Sequence, residues 1–321
     1  MKISHNTRVD PQKMHTFNGY GYATDRMLAS LRELGYEVNT NDKDADVGFW
    51  FDQPQHWKWP KNQYRIGYHP WESTQLQKGW LKKMNQCDEI WTPSPMVANW
   101  YLQAGVKRPI FVYEHGVDHQ NWTPVKREVH GPFRFLHVGG DAVRKGADIA
   151  LDAFRIVQGS NKDVELTLKM NNKGWHINRY GSVTVLTDTM SLERLVRLYH
   201  RHHAFVYPSW GEGFGLLPLQ AISTSMPTIC TAAWAPYKRF LDPMLSVSSE
   251  MYPSPWEFIH PGCMWKPNFE EVVENMRYAI NNYDQSLEYA GLVREFAVRY
   301  YDWNRLTKIA FTALENRLKN S

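Results

Sequence analysis

Cysteine is scarce in this chain: three of 321 residues, Cys87, Cys230 and Cys263, far apart and at no zinc-site spacing. That excludes a disulfide-stapled scaffold and reads as reduced thiols of a cytoplasmic protein. Long apolar runs are also missing. No stretch approaches the ~20 residues needed to cross a bilayer, and the opening MKISHNTRVDP lacks the apolar core of an export signal, so no membrane insertion is expected. Neither low-complexity tracts nor repeats of about 20–50 residues are present. A GxxxxGK[ST] phosphate loop is absent, and no GxGxxG with a following acid suits NAD. Neither sign of charge dominates: 37 Lys and Arg against 33 Asp and Glu give +4, which permits an anionic partner without demanding one.

What is present fits a globular protein of two domains of roughly 100–200 residues each. Fourteen tryptophans are many for this length, and most are expected to fill cores. The pattern alternates strand and helix twice. In the first half, Gly19-Tyr20-Gly21 precedes a helix with Met27, Leu28, Leu31 and Leu34 on one face and Gly35 as its stop. Strand-like runs follow at Glu37–Thr40, Val47–Phe51, Tyr64–Tyr68, Glu89–Thr92 and Ile110–Tyr113, with a helix expected over Leu76–Cys87. The polar stretch TPVKREVHGP reads as a linker. In the second half, strands at Phe133–Val138, Val164–Lys169, Ser182–Thr187, Ala204–Tyr207 and Thr228–Thr231 alternate with helices, the first carrying Ile149, Ala153, Ile156 and Val157 on one stripe. Two terminal helices are expected, one with Tyr289, Leu292, Val293, Phe296 and Tyr300 on a face, the other with Leu306, Ile309, Ala310, Ala313 and Leu314. The break between them is Tyr301-Asp302-Trp303. Such alternation predicts an α/β protein with a parallel sheet in each half. The expected division is 1–125 and 131–300, with a C-terminal helix, 302–321, packing on the first domain. Two such domains facing each other leave a crevice at the carboxyl ends of their strands, where ligands bind.

The densest chemical signal is HAFVYPSWGEGFGLLPLQAISTSMPTICT, residues 203–231. A strand, a glycine-rich turn with one acid, Glu212, and a helix follow in order. That arrangement aims backbone N–H groups and a helix N-terminus at one point, a phosphate-holding geometry. A lone acid among such donors suits a sugar hydroxyl. Gly213 and Gly215 allow close backbone approach, with Phe214 between them. A second signal is Arg144-Lys145-Gly146 after Gly139-Gly140: a rigid fork and a point charge beside a helix start, fit to grip a diphosphate. In the first half, His69 and Glu72 follow a strand end, where they can touch a sugar or orient an acceptor hydroxyl. Two patterns are declined. Asp44-x-Asp46 has the spacing of a metal-binding acidic pair but no nucleotide-binding context, and His200, His202 and His203 read as a solvated helix end. No metal site and no cofactor are expected.

Together these stretches resemble the family-4 retaining glycosyltransferases, with a likeness to small virus-encoded members. The resemblance is strongest from Phe133 to Thr231 and extends to the closing YYDWNRLTKIAFTAL. It implies two Rossmann-like domains (the GT-B type) whose terminal helix crosses back onto the first. It implies that Glu212 contacts hydroxyls of the transferred sugar, and that Gln220, where the family has a second Glu, faces the ribose. Gly139 stands where the family usually has an Arg, and Arg144 is inferred to take over part of that role. Met190 is assigned to the donor side, and Gly19, Tyr20, Gly21 and Glu72 to the acceptor side. His115 to Asp118 resembles a family turn with a structural role at the hinge. The implied reaction moves a hexose or pentose from a nucleotide diphosphate sugar to a hydroxyl with retention, by front-face attack and without metal. Among acceptors a hydroxymethylated base in DNA ranks first, with a virion protein or a glycan as alternatives. A non-catalytic nucleotide-sugar binder is the reading of another class, opposed by the presence of Glu212, Arg144 and Lys145.

Overall fold

The computed structural model describes residues 1–8, 19–140, 143–170 and 179–320. The chain divides into two compact units: Met1–Gly116 with Pro253–Cys263 and Tyr301–Ser321, and Val117–Tyr252 with Met264–Tyr300.

The first unit contains β1 (Lys2–Asn6), α1 (Gly19–Glu33), β2 (Glu37–Thr40), β3 (Val47–Phe51), β4 (Tyr64–Tyr68), α2 (Trp80–Met84), β5 (Glu89–Thr92), α3 (Pro95–Gln103) and β6 (Ile110–Val112). Its sheet runs β2-β1-β3-β4-β5-β6, all parallel. Side chains alternate along the strands. Trp50 and Ile90 point into a cluster with Trp57, Trp71, Trp80 and Trp100, while Phe49 and Trp91 meet Phe311 of the C-terminal helix. The tryptophans therefore fill the core, as expected.

The second unit contains β7 (Phe133–Val138), α4 (Ala147–Ser160), β8 (Val164–Lys169), β9 (Arg179–Tyr180), β10 (Val183–Leu186), α5 (Leu192–His200), β11 (Ala204–Tyr207), α6 (Leu216–Ser223), β12 (Thr228–Thr231) and β13 (Ser246–Val247). A strand pair, β14 (Ser249–Pro253) and β15 (Cys263–Pro267), leads to α7 (Phe269–Asn281), α8 (Tyr283–Tyr300) and finally α9 (Trp303–Lys319), which belongs to the first unit. The second sheet runs β13-β12-β11-β7-β8-β10-β9, parallel except at the β9 edge. Ala147, Ala150 and Ala153 on α4 let that helix lie close to the sheet. Both sheets are thus the expected parallel α/β type, and no helix among the described residues is long and apolar enough to cross a membrane.

Several local expectations fail for identifiable reasons. Strand β1 is central yet carries Ser4, His5 and Asn6, all buried, so its sequence conceals it. Helix α2 is shorter than Leu76–Cys87 because Gly79, at φ 87°, blocks any earlier start. Helix α3 was not foreseen, although Ser94 caps it and Pro95 opens it. Gly19-Tyr20-Gly21 forms the first turn of α1 rather than a preceding loop. On α4, Ile156 faces solvent and Phe154 packs inward. Leu292 and Phe296 on α8 are exposed, and the inward line is Tyr283, Ser286, Ala290 and Ala297. On α9, Ile309 and Ala313 face outward and Phe311 inward. The break before α9 is its N-cap: Asp302 accepts the Arg305 N–H at 2.7 Å.

Two polar segments are more deeply set than their composition suggests. The stretch read as a linker is pinned by Arg127, whose guanidinium is buried and donates to the carbonyl oxygens of His202, Thr224 and Ser225 and to Thr224 Oγ1. Burial lowers its pKa to about 10, which still leaves it charged at neutral pH. His202 and His203 are buried rather than solvated; His202 bonds Leu198 O and Thr167 Oγ1, and His203 Nδ1 accepts the Arg134 N–H.

Helix α9 is locked to β5 by a buried carboxylate. Glu89 accepts both arms of the Arg317 fork (2.7 and 2.9 Å), the Tyr64 hydroxyl and the Trp91 indole N–H. Arg317 also lies over the Phe111 ring, 3.7 Å from its centroid. Arg317→Ala strands a buried charge and should cost about 3 kcal/mol, the lower end for a broken buried pair because the arginine is partly solvated. Chemical denaturation checks this, and the double variant Glu89→Gln/Arg317→Met should recover part of the loss.

Candidate functional site

The second unit brings its two sequence signals together through strand order. β7, the first strand of this sheet in sequence, lies between β8 and β11, so the connections leaving β7 and β11 run to opposite sides. At such a switch point the loops beyond the carboxyl ends of the strands splay apart and leave room for a ligand. The loop after β7 carries Gly139, Gly140, Arg144 and Lys145; the loop after β11 carries Ser209 to Gly215. Residues 141 and 142 lie outside the described set.

Glu212 is buried at the meeting point. Its Oε1 accepts Lys145 Nζ at 2.5 Å, the Tyr207 hydroxyl at 2.9 Å and the Ser209 hydroxyl at 3.0 Å, with Arg144 Nη1 3.7 Å away. Burial by itself pushes this carboxyl up, but Lys145, Arg144 and the hydrogen bonds outweigh it and hold Glu212 below its ordinary value. Arg144 donates to Gly211 O at 2.7 Å, and the Trp210 N–H donates to Arg144 O at 3.0 Å, so the two loops are stitched to each other.

The glycines follow from this closeness. A Cβ on Gly139 would lie 2.8 Å from Lys145 Cβ, so the position has no room for the arginine that the family pattern carries there. Gly146, at φ 78°, packs against the Pro208 carbonyl; Gly215, at φ 86°, opens α6, and a Cβ there would be 2.5 Å from both Trp234 and the Tyr237 hydroxyl. Trp234 in turn donates to Ser209 O at 2.9 Å. Gly213 is buried and Gly140 exposed.

The remaining donor-side candidates are mixed. Gln220 is buried on α6 and its Oε1 has no hydrogen-bond partner, an acceptor left open. Phe214 is a core side chain packed edge-on against Tyr237, so only its backbone can face a ligand. Met190 is buried just before α5 and adds no polar group to the cluster. Tyr207 and Ser209 were missed by sequence reasoning, although both flank the glycine turn; as strand end and strand stop they read as structural.

In the first unit, His69 is wholly buried beyond the end of β4. Its Nε2 lies 3.1 Å from the Tyr20 hydroxyl and its Nδ1 3.0 Å from the Tyr101 hydroxyl, with Trp80 edge-on to the ring. Burial, with His260 adding to it, lowers the His69 pKa to about 3. His69 and Tyr101 are fully buried, and Tyr20, half-buried on the first turn of α1, is the more exposed member of the group. Gly19 is exposed and Gly21 buried in the same turn. Glu72 Oε2 approaches His260 Nδ1 at 3.8 Å, and the His260 ring lies tilted against Trp71, centroids 5.2 Å apart. Asp46 accepts the Lys2 N–H at the start of β1, and the Asp44 N–H donates to Asp42 within the β2–β3 turn. Among the described residues no group of three or more His, Cys, Asp or Glu is placed to hold a metal ion.

Comparison with known proteins agrees with this arrangement. Over 128 residues the chain is 29% identical to a glycogen synthase of Mycobacterium tuberculosis, a match covering 37% of this chain but only 31% of that relative's length. Among solved structures, sucrose-phosphate synthase from Thermosynechococcus elongatus shares the fold over the full length of both chains, at 13% identity and a TM-score of 0.75. The pneumococcal O-GlcNAc transferase, solved with UDP and GlcNAc, shares it over 85% of this chain and 57% of its own, at 11% identity and a TM-score of 0.61. A family model described as family 4 glycosyltransferase in conflict systems matches residues 95–308, two-thirds of the sequence and all of the second unit, and on that match the chain belongs to this glycosyltransferase family.

Proposed function

We propose that the chain transfers a glycosyl group from a nucleoside diphosphate sugar to a hydroxyl, with retention of configuration and without a metal ion. The observation that carries this reading is the buried Glu212 carboxylate held by Lys145, with Arg144 beside it, at the carboxyl ends of neighbouring β7 and β11. In such a transfer, negative charge develops on the leaving diphosphate. Lys145, Arg144 and the amides opening α6 supply fixed positive charge and donors for it, the role a divalent metal has elsewhere. Glu212 Oε1 already takes three donors, which leaves Oε2 to the sugar hydroxyls. A phosphate oxygen of the leaving group accepts the proton of the attacking hydroxyl, so no protein nucleophile is required. Gln220 offers its unpartnered Oε1 to the ribose.

For the acceptor, a hydroxymethylated base in DNA is the first choice, supported by the mildly basic balance of +4. Incubation with a panel of nucleotide sugars and candidate acceptors, read by mass spectrometry in the presence of EDTA, tests the whole reading. Transfer to DNA supports the first choice, and transfer to a protein or glycan redirects it. Nucleotide-sugar binding without transfer or hydrolysis would make the chain a binder only.

Two substitutions follow from the geometry. Lys145→Ala should lower turnover by roughly 100- to 1000-fold, the scale of one lost preorganised donor. The fold should survive, because Arg144, Tyr207 and Ser209 still hold Glu212. Wild-type turnover in a folded variant would contradict the diphosphate assignment. Gln220→Ala should weaken nucleoside diphosphate binding by about five- to tenfold, the worth of one neutral hydrogen bond. It should also abolish discrimination against the 2′-deoxy nucleotide, and calorimetry with the bare diphosphates measures both.

A further inference from the structure

The ladder between β7 and β11 ends at the pair Leu136–Phe205, although β7 stays paired with β8 as far as Val138 and β11 with β12 as far as Tyr207. Where the two strands part, the fully buried His137 side chain bridges them: its Nδ1 lies 2.9 Å from the Val206 carbonyl oxygen. A carbonyl oxygen only accepts, so Nδ1 carries the ring proton. Burial, opposed by the Val206 bond and joined by the charge of Lys145, lowers the His137 pKa to about 4 and keeps the ring neutral at physiological pH. Nε2 is therefore a bare acceptor, and it has no hydrogen-bond partner among the described residues. Buried polar atoms are seldom left unpaired. The surroundings point to a donor. A Cβ on Gly139 would lie 3.2 Å from Nε2 and 3.1 Å from Lys145 Cγ, so the bare nitrogen looks across the side-chain-free face of Gly139 to the lysine stem. The ring also stacks on Tyr207, centroids 5.6 Å apart, and the Lys145 ammonium lies 5.9 Å from the centre of that same tyrosine ring. Rotation about its own stem can carry the ammonium from Glu212 to Nε2.

We propose that His137 is a positioning residue for Lys145, its Nε2 receiving a lysine N–H when a diphosphate draws the ammonium off Glu212. The inference rests on the glycosyl-transfer reading and adds to it a second seat for the lysine. The two seats differ in charge. Against Glu212 the ammonium is neutralised by a carboxylate. Against a neutral imidazole it keeps its whole charge for the phosphate oxygens, and Glu212 is released to sugar hydroxyls. Gly139 is part of the device, because a side chain there would stand between the two partners.

Nitrogen-15 NMR of the full chain, with the His137 signals assigned by their loss in His137→Asn, reads the wiring directly. Without ligand, Nδ1 should be pyrrole-like and Nε2 pyridine-like at neutral pH. Calorimetry with UDP, GDP, ADP and dTDP selects a diphosphate that binds, and at saturation Nε2 should move upfield as it accepts the lysine N–H. In Lys145→Met, saturated with the same diphosphate, Nε2 should stay where it was. The amide N–H of His137→Asn can replace the bond to Val206, so its thermal midpoint should hold while diphosphate affinity falls about five- to tenfold. Adding that change to Lys145→Met should weaken binding no further, because the partner is already gone. An Nε2 resonance unmoved at saturation, a ring protonated on both nitrogens, or additive losses in the double variant refutes this inference alone. A wild type that binds none of the four diphosphates refutes the glycosyl-transfer reading beneath it.

Discussion

A carboxylate and an ammonium held at 2.5 Å with little water around them set the terms for the second unit. Moving two charges out of water costs several kcal/mol per ion, and their mutual attraction offsets this only when the remaining lone pairs are filled. Here Tyr207 and Ser209 add two donors to the Glu212 oxygen that Lys145 engages, and Arg144 adds a second cation. The supporting residues are then constrained in turn. Ser209 is held by Trp234, Gly139 must lack a side chain to admit Lys145, and Gly215 must lack one to admit Trp234 and Tyr237. An apolar replacement of such a pair is often neutral or stabilising, so stability does not explain why it is here. On the proposed reading, its position beyond adjoining strands at a switch point puts the lysine where an anionic ligand would take it over.

The first unit solves a different problem with different means. Among its candidates, His69 and Tyr20 are hydrogen-bonded at 3.1 Å, with the His69 ring set against Trp71 and Trp80. Glu89 and Arg317, the buried ion pair of this unit, tie α9 to β5 and lie in the architectural part of the sheet.

How much of this was legible in the sequence depends on whether local pattern or tertiary context decides each feature. The glycine turn around Glu212 was legible because strand stop, glycines and helix start follow one another within a dozen residues. Lys145 was legible as a helix-start cation, but its pairing with Glu212, 67 positions away, depends on strand order, which periodicity does not encode. β1 was hidden because a strand flanked on both edges can bury Ser and Asn when they bond each other: Ser4 donates to Asn6, and Asn6 to Gln63. The face of α8 was misjudged because three of its inward residues, Ser286, Ala290 and Ala297, are small, and large apolar residues were left in solvent. His69 was noticed for its position beyond a strand, yet its two tyrosine partners come from α1 and from α3, a helix the sequence reading did not contain.

The central claim, that Lys145 and Arg144 receive the diphosphate while Glu212 keeps to the sugar, is tested most directly by a crystal structure of the chain with a nucleoside diphosphate sugar. The account predicts phosphate oxygens within hydrogen-bond reach of Lys145 Nζ and of the amides opening α6, a Lys145–Glu212 separation longer than 2.5 Å, and a sugar hydroxyl on Glu212 Oε2. A nucleotide bound elsewhere, with the Lys145–Glu212 pair intact and no phosphate beside it, would contradict it.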